Sequence, residues 1–330
     1  MDITNRLKPI EAIKIDSIEH LLSIIVEENQ MGDKWFRGQA DIDFALLPSV
    51  IRIAQVIRDQ FGRRVKPYPL KIFSTHGDEC VIPDGIYIHT FINLLKSKNL
   101  YNESMSYIET LCLAQHYGVR TRLLDWTTDA VVALFFALDQ REEGKSAGFY
   151  ILDPAKFNES TCSEKRVYNV ENVPIPEIFP VAFYGPKNDM RMCRQSGNFT
   201  IHGQMVWPID YLYNAKEFLK RIEIPNSVCH DLQNILSGLG VTKKSIYVMD
   251  DEKDQIALEA GTLTENRFNE QLEKWTKEWE KDSDKGIERH VYFLLQKLRG
   301  VLLFLEGTRV ESITKTWYNK NKFNDSNMEG

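Results

Sequence analysis

Cysteine is scarce and unpatterned in this sequence: five residues, 31 to 50 positions apart, with no pair at the two-residue spacing of a metal knuckle or redox motif. An odd, scattered set argues against a disulfide framework or a zinc site and fits reduced thiols. The seven histidines are equally dispersed and no HExxH occurs, so no metal is implied. There is no phosphate-cradling glycine loop and no GxSxG. Gly238-Leu239-Gly240 follows a helical stretch rather than a strand, and reads as a helix stop. Basic residues do not exceed acidic ones: 41 against 47 leaves a formal charge of −6, so a nucleic-acid partner is not indicated. Long apolar runs are missing too. The richest late stretch, Val291 to Leu305, is broken by Gln296, Lys297 and Arg299 and is too short to span a bilayer, so no membrane partner is expected. Residues 1–10 lack a basic region followed by an apolar one. No secretory leader is expected, and cytoplasm is the expected compartment.

What is present is ordinary globular material. The 330 residues are 43% apolar and 27% charged, enough for one large domain with an appendage. Ser17 caps an amphipathic pattern through Glu28, and Lys34 to Gln39 reads as a short strand. Val50 to Phe61 looks helical. Residues 62–90 mix Pro67, Pro69 and Pro83 with Gly62, Gly77 and Gly85, which is loop and hairpin chemistry. Met105 to Tyr117 is an expected helix stopped by Gly118. Thr121 to Trp126 follows as a strand, and Thr127-Thr128-Asp129 supplies the cap of Ala130 to Leu138, a helix so apolar that it belongs inside. Gly148 to Leu152, Gly197 to His202, Lys220 to Ile224 and Ser245 to Val248 are further strands, with 155–190 irregular and Ser227 to Leu239 helical. From Thr264 the texture becomes charged, with helical spacing over Asn266 to Lys285 and an apolar helix over Ile287 to Leu298. The organisation expected is a lead-in over 1–33, a domain over 34–261 and a charged helical extension over 262–330 that offers a protein partner a surface. The fold class is α+β: a small, mostly antiparallel sheet core flanked by helices.

Two segments carry the chemistry. In Trp35-Phe36-Arg37-Gly38-Gln39 a guanidinium sits among aromatics and a glycine, where a buried charge needs a partner. Gly38 admits close approach by another backbone or by a ligand. One reading pairs Arg37 with a carboxylate of the fold, Asp125 being the obvious candidate. The other aims its donors at a phosphate or carboxylate ligand. The second segment, Ala114 to Thr127, crowds Gln115, His116, Tyr117, Arg120, Arg122, Asp125 and Trp126 beside the apolar helix. Such density marks a hydrogen-bonded network or a site, and the helix start offers free N–H groups to an anion. Individually, His116 has a core reading and Trp126 a packing one.

WFRGQ, then LLPS, then LAQHYGVRTRLLDWT before a helix ending in ALFFA, resembles the FRG domain, named for its Phe-Arg-Gly motif. GFYILDP, RQSGNFTIHG and RIEIP extend the likeness more loosely, so that it runs from about Trp35 to Gly261. The resemblance implies a bacterial or phage-associated setting, phage defence among the expectations, and no settled activity. The order of motifs is also similar to the ADP-ribosyltransferase plan, by analogy. On that analogy Arg37 matches the early-strand basic residue, and Leu123 to Thr127 running into AVVALFFA matches the second element. Gln195 stands where a catalytic Glu belongs, with Glu223 and Glu259 as alternatives.

The likeness implies NAD as a co-substrate. Arg37, His116, Asp125 and Gln195 are then the catalytic candidates. Arg37, Gly38, Gln39, Tyr117, Arg122, Trp126 and Thr127 are the candidates for holding the cofactor. Arg37 would orient phosphate or ribose, Tyr117 or Trp126 would stack, Thr127 would bond the ribose, and Asp125 would hold Arg37 or Arg122. The expected function is a cleft for an anionic small molecule, with ADP-ribosyl transfer or NAD cleavage. The alternative is a non-enzymatic adaptor whose motifs are structural.

Overall fold

The computed structural model describes residues 8–52, 58–59, 80–81, 84–176, 179–186, 197–203, 207–247 and 251–281, with side chains described up to 274. An eight-stranded, mostly antiparallel sheet forms the centre. Its strands are β1 (Ile13–Lys14), β2 (Trp35–Gln39), β5 (Leu123–Thr127), β6 (Ala147–Leu152), β7 (Tyr168–Asn169), β8 (Val181–Tyr184), β9 (Gly197–Ile201) and β10 (Leu219–Ile224). The spatial order is β1-β10-β6-β2-β5-β9-β8-β7, with parallel pairs only at the two edges. A separate two-stranded ladder joins β3 (Arg58–Asp59) to β4 (Cys80–Val81).

Helices cover both faces. Alternation along β2 and β6 sends Phe36, Phe149 and Ile151 to one face and Trp35, Tyr150 and Leu152 to the other. The first face packs against α1 (Ile18–Gln30), α5 (Ala130–Leu138) and α8 (Asn226–Gly238). The second packs against α2 (Ser49–Arg52), α3 (Asp84–Ser97), α4 (Tyr107–His116), α6 (Pro154–Cys162), α7 (Ala215–Phe218) and α10 (Asp251–Lys281). Burial on both sides explains why β6, AGFYIL, shows no polar alternation.

Local signals set several boundaries. Ser17 accepts from His20 N and starts α1, and a capping box of Ser106 with Glu109 starts α4. The end of α4 is a Schellman turn. Val119 N donates to Ala114 O, Gly118 N donates to Gln115 O, and Gly118 takes φ +72°. Asp129 caps α5 by accepting from Val131 N and Val132 N.

The structure departs from expectation elsewhere. The sheet is large rather than small. Residues 84–90, expected as loop, instead begin α3, because its apolar residues Tyr87, Ile88, Phe91, Leu94 and Leu95 fall on one buried stripe behind Asp84. Residues 155–190 contain α6, β7 and β8, where Pro154 follows the capping Asp153. The helix expected over Val50 to Phe61 is described only as α2, and 58–59 are strand. Ser245 to Tyr247 is not a strand, and Val248 lies outside the described residues. Thr242 caps a helical turn, α9 (Lys243–Ile246), through a reciprocal bond with Ser245.

Gly261 lies within α10, which runs through the expected boundary and buries Ile256, Ala260, Phe268 and Leu272 in the main core. The helix expected over Ile287 to Leu298 lies outside the described residues. No described helix is long and apolar enough to cross a membrane.

Candidate functional site at the fork between two central strands

The strands β2 and β5 are neighbours, yet their ladder holds only the pair Phe36↔Thr127. Each stays fully paired on its other side, β2 with β6 and β5 with β9. Beyond Phe36 the two strands therefore diverge, and a cleft of about 420 Å3 opens in the fork. That size suits a small ligand.

On β2 the side chains of Arg37 and Gln39 leave one face and Gly38 faces the other. A Cβ on Gly38 would lie 1.9 Å from Ala133 O and 2.4 Å from Ala137 N, so the residue lets α5 rest directly on the strand. The close approach foreseen for Gly38 is thus by a helix backbone, although the residue also borders the cleft. Arg37 Nη1 donates to the Asp125 backbone carbonyl (2.7 Å) and stands 4.0 Å from that residue's Oδ2. Its side chain is 15% exposed. Burial pulls the guanidinium from 12.5 down to about 10, against the raising effect of Asp125. Arg37 Nε and Gln39 Oε1 are both buried without a hydrogen-bond partner among the described residues. Such orphaned groups at a cleft mark a place where a ligand has polar atoms to satisfy.

Asp125 is held rather than buried. Its carboxylate is 54% exposed, and Oδ2 accepts from Gln115 Nε2 at 2.7 Å. Gln115 Oε1 in turn accepts from the hydroxyl of fully buried Thr121. The Schellman turn is what places the last residues of α4, Gln115 and His116, beside β5. Exposed Arg52, from the end of α2, adds a second guanidinium to the same cleft. Although the residue as a whole is exposed, partial loss of hydration lowers the pKa of its guanidinium, against the raising effect of Asp125.

The fork gathers most of the sequence candidates: Arg37, Gly38, Gln39, His116, Asp125, Trp126 and Thr127 all line it. Trp126 is 2% exposed and donates its indole N–H to Thr200 Oγ1, which is a packing role. Buried Thr127 accepts from Asp129 N at the start of α5.

Two candidates go elsewhere. Arg122 is locked bidentately on buried Asp84, at 2.5 and 2.8 Å, and this pairing holds its pKa up although burial opposes it. Asp125 therefore does not hold Arg122. Tyr117 packs on Phe91 and is not among the residues lining the cleft. Gln195 lies outside the described residues. Neither alternative lines the cleft: Glu223 accepts from Ser146 and faces Lys14, and Glu259 pairs with Lys98.

Sequence reasoning missed the apolar wall. Phe44, Phe136, Phe199 and Tyr247 also border the cleft, together with Val132 and Cys112. Phe136 was legible as part of ALFFA, whereas Tyr247 comes from a distant turn and gave no local signal. Burial pushes the Cys112 thiol well above its ordinary pKa, so it is an inert neighbour.

Residues 32–146 match the family model of the FRG domain. This stretch of the chain is an FRG domain, and it contains both dense motifs, whereas GFYILDP and the later looser segments lie beyond it. No curated protein and no solved structure matches the chain.

Proposed function

We propose that the fork binds a nucleotide-like anion and that its chemistry is cleavage of an N-glycosidic bond, with NAD as co-substrate. The observation that carries this reading is the half-exposed carboxylate of Asp125, fixed by Gln115 in one cleft with the guanidiniums of Arg37 and Arg52. Two cations suit a pyrophosphate. A fixed carboxylate suits a ribose that develops oxocarbenium character as the bond to nicotinamide breaks. In that step the bonding electrons leave with nicotinamide, and water or an acceptor group supplies the new bond to the ribose carbon. Asp125 stabilises the positive charge, and the Thr127 hydroxyl meets a ribose hydroxyl. The order of motifs shared with the ADP-ribosyltransferase plan supports the same assignment, as an analogy.

Nicotinamide release and the NAD-induced rise in melting temperature test the reading. Asp125→Asn should keep the thermal shift and lower release by at least a hundredfold, whereas Arg37→Ala should weaken NAD binding about ten- to a hundredfold. Absence of both shift and release in folded protein would favour the second reading, a non-enzymatic adaptor. That alternative draws on the structural duties of Gly38, Arg122 and Trp126.

A further inference from the structure

The cleft has two chemistries. One wall is polar, with Arg37, Gln115, His116 and Asp125. The other is supplied by α5 and by the end of α9, far along the chain, and there Phe136 and Tyr247 stay half-buried while their neighbours Val132, Phe135 and Ile246 are buried beneath them. We infer that this second wall seats a planar heterocyclic ring of the bound anion, and that Tyr247 is its specificity-determining residue. The inference rests on the nucleotide reading of the fork and deepens it.

Geometry favours a seat over a plug. The Tyr247 ring stands nearly perpendicular to Phe136, at 82° with centroids 6.1 Å apart, and at 71° and 5.9 Å to Phe135. Half-buried rings meeting at such an angle form a corner, and a flat ring laid in it covers one face and abuts the other ring's edge. Phe44 leaves a further 51% of its surface in water at the same cleft. Apolar area left wet beside charged groups is regained when a ligand that is anionic at one end and aromatic at the other lies across the hollow.

The corner is also pre-organised. The Tyr247 hydroxyl donates to Asp139 Oδ2 at 2.8 Å, and Lys243 Nζ lies 3.0 Å from Oδ1 of the same carboxylate, whose side chain is only 6% exposed. The capping box at Thr242 shapes the turn between these contacts. A ring seated there pays little to order the protein. Because Tyr247 lies beyond the matched residues 32–146, the ring selectivity belongs to this chain rather than to the FRG segment alone.

The test is calorimetric titration of the full chain with ADP-ribose, nicotinamide mononucleotide and inorganic pyrophosphate. At least one ring-bearing probe should bind more tightly than pyrophosphate, and which one does identifies the ring as adenine or nicotinamide. Tyr247→Leu, which keeps apolar bulk under the turn, should weaken that probe about tenfold and leave pyrophosphate unchanged. Tyr247→Phe should retain most of the affinity, separating the ring from the Asp139 bond. Should Tyr247→Leu not fold, Phe136→Leu reads the same wall. Equal affinity for the ring probe in Tyr247→Leu and the unchanged protein, or an equal loss for all three probes, overturns the ring seat and leaves the nucleotide reading standing. Failure of every probe to bind the unchanged protein overturns both.

Discussion

Asp125 and Arg122 sit three positions apart and have opposite fates. The first is an acid left half in water, restrained by an amide that is itself restrained by a buried hydroxyl. The second is a cation withdrawn from the cleft, closed on Asp84 with Tyr107 as a further donor to that carboxylate. Removing one member of a buried pair strands the other charge. Asp84→Ala is expected to cost about 3–5 kcal/mol of unfolding free energy in urea titrations, and Asp84→Leu combined with Arg122→Met to recover most of it. Ligand affinity in the double variant should stay unchanged, because the pair lies outside the fork. A cost below about 1 kcal/mol for the single variant would show that the pair is hydrated.

Between elements, the decisive contact is α5 lying on β2 at Gly38. A methyl group there meets backbone atoms, which cannot swing aside as a side chain would. Gly38→Ala should therefore lower the melting temperature by about 10 °C, corresponding to roughly 3 kcal/mol or more. A variant that melts with the unchanged protein would mean the helix can lift without cost. The same contact sets the cleft, since α5 brings Phe136 and Ala133 to its edge. The glycine's need for a close neighbour was legible in WFRGQ. Whether the neighbour was helix or ligand was not, because the two demand the same absence of a side chain.

For the molecule as a whole, two buried groups push stability in opposite directions with pH. Asp210, 2% exposed, accepts from its own backbone N–H and, through a long bond, from Leu46 N. Burial raises it from 3.8 to about 6, partly offset by Arg221. A raised acid stabilises the fold below its unfolded pKa and loses that contribution as pH climbs through the folded value. His202 is fully buried, and neither ring nitrogen has a hydrogen-bond partner among the described residues. Burial and then Arg122 depress it from 6.5 to about 3, so its contribution is present above 6.5 and is lost as pH falls. Between pH 4 and 6 the two slopes oppose each other. Relative to the unchanged protein, Asp210→Asn should gain up to about 3 kcal/mol as pH rises from 4 to 6, measured by denaturant titration at each pH. A difference independent of pH would show that Asp210 is ionised throughout.

Much of the scaffold is readable from neighbours along the chain. Ser17, Asp129, the HYGV turn and the all-round apolar helix each act within a few residues, through caps and burial that any fold of this chain must satisfy. The richness in polar groups of Ala114 to Thr127 likewise announced a network. What tertiary structure decided is which of those groups face the hollow. That depended on partners far apart in sequence: Arg37 with Asp125 across 88 positions, Arg122 with Asp84 across 38, Tyr247 with Asp139 across 108. A guanidinium or a phenol looks alike in either role until packing fixes its distance to the group that satisfies it. Strand divergence after Phe36, on which the cleft depends, is a property of three strands paired together and is written in no one of them.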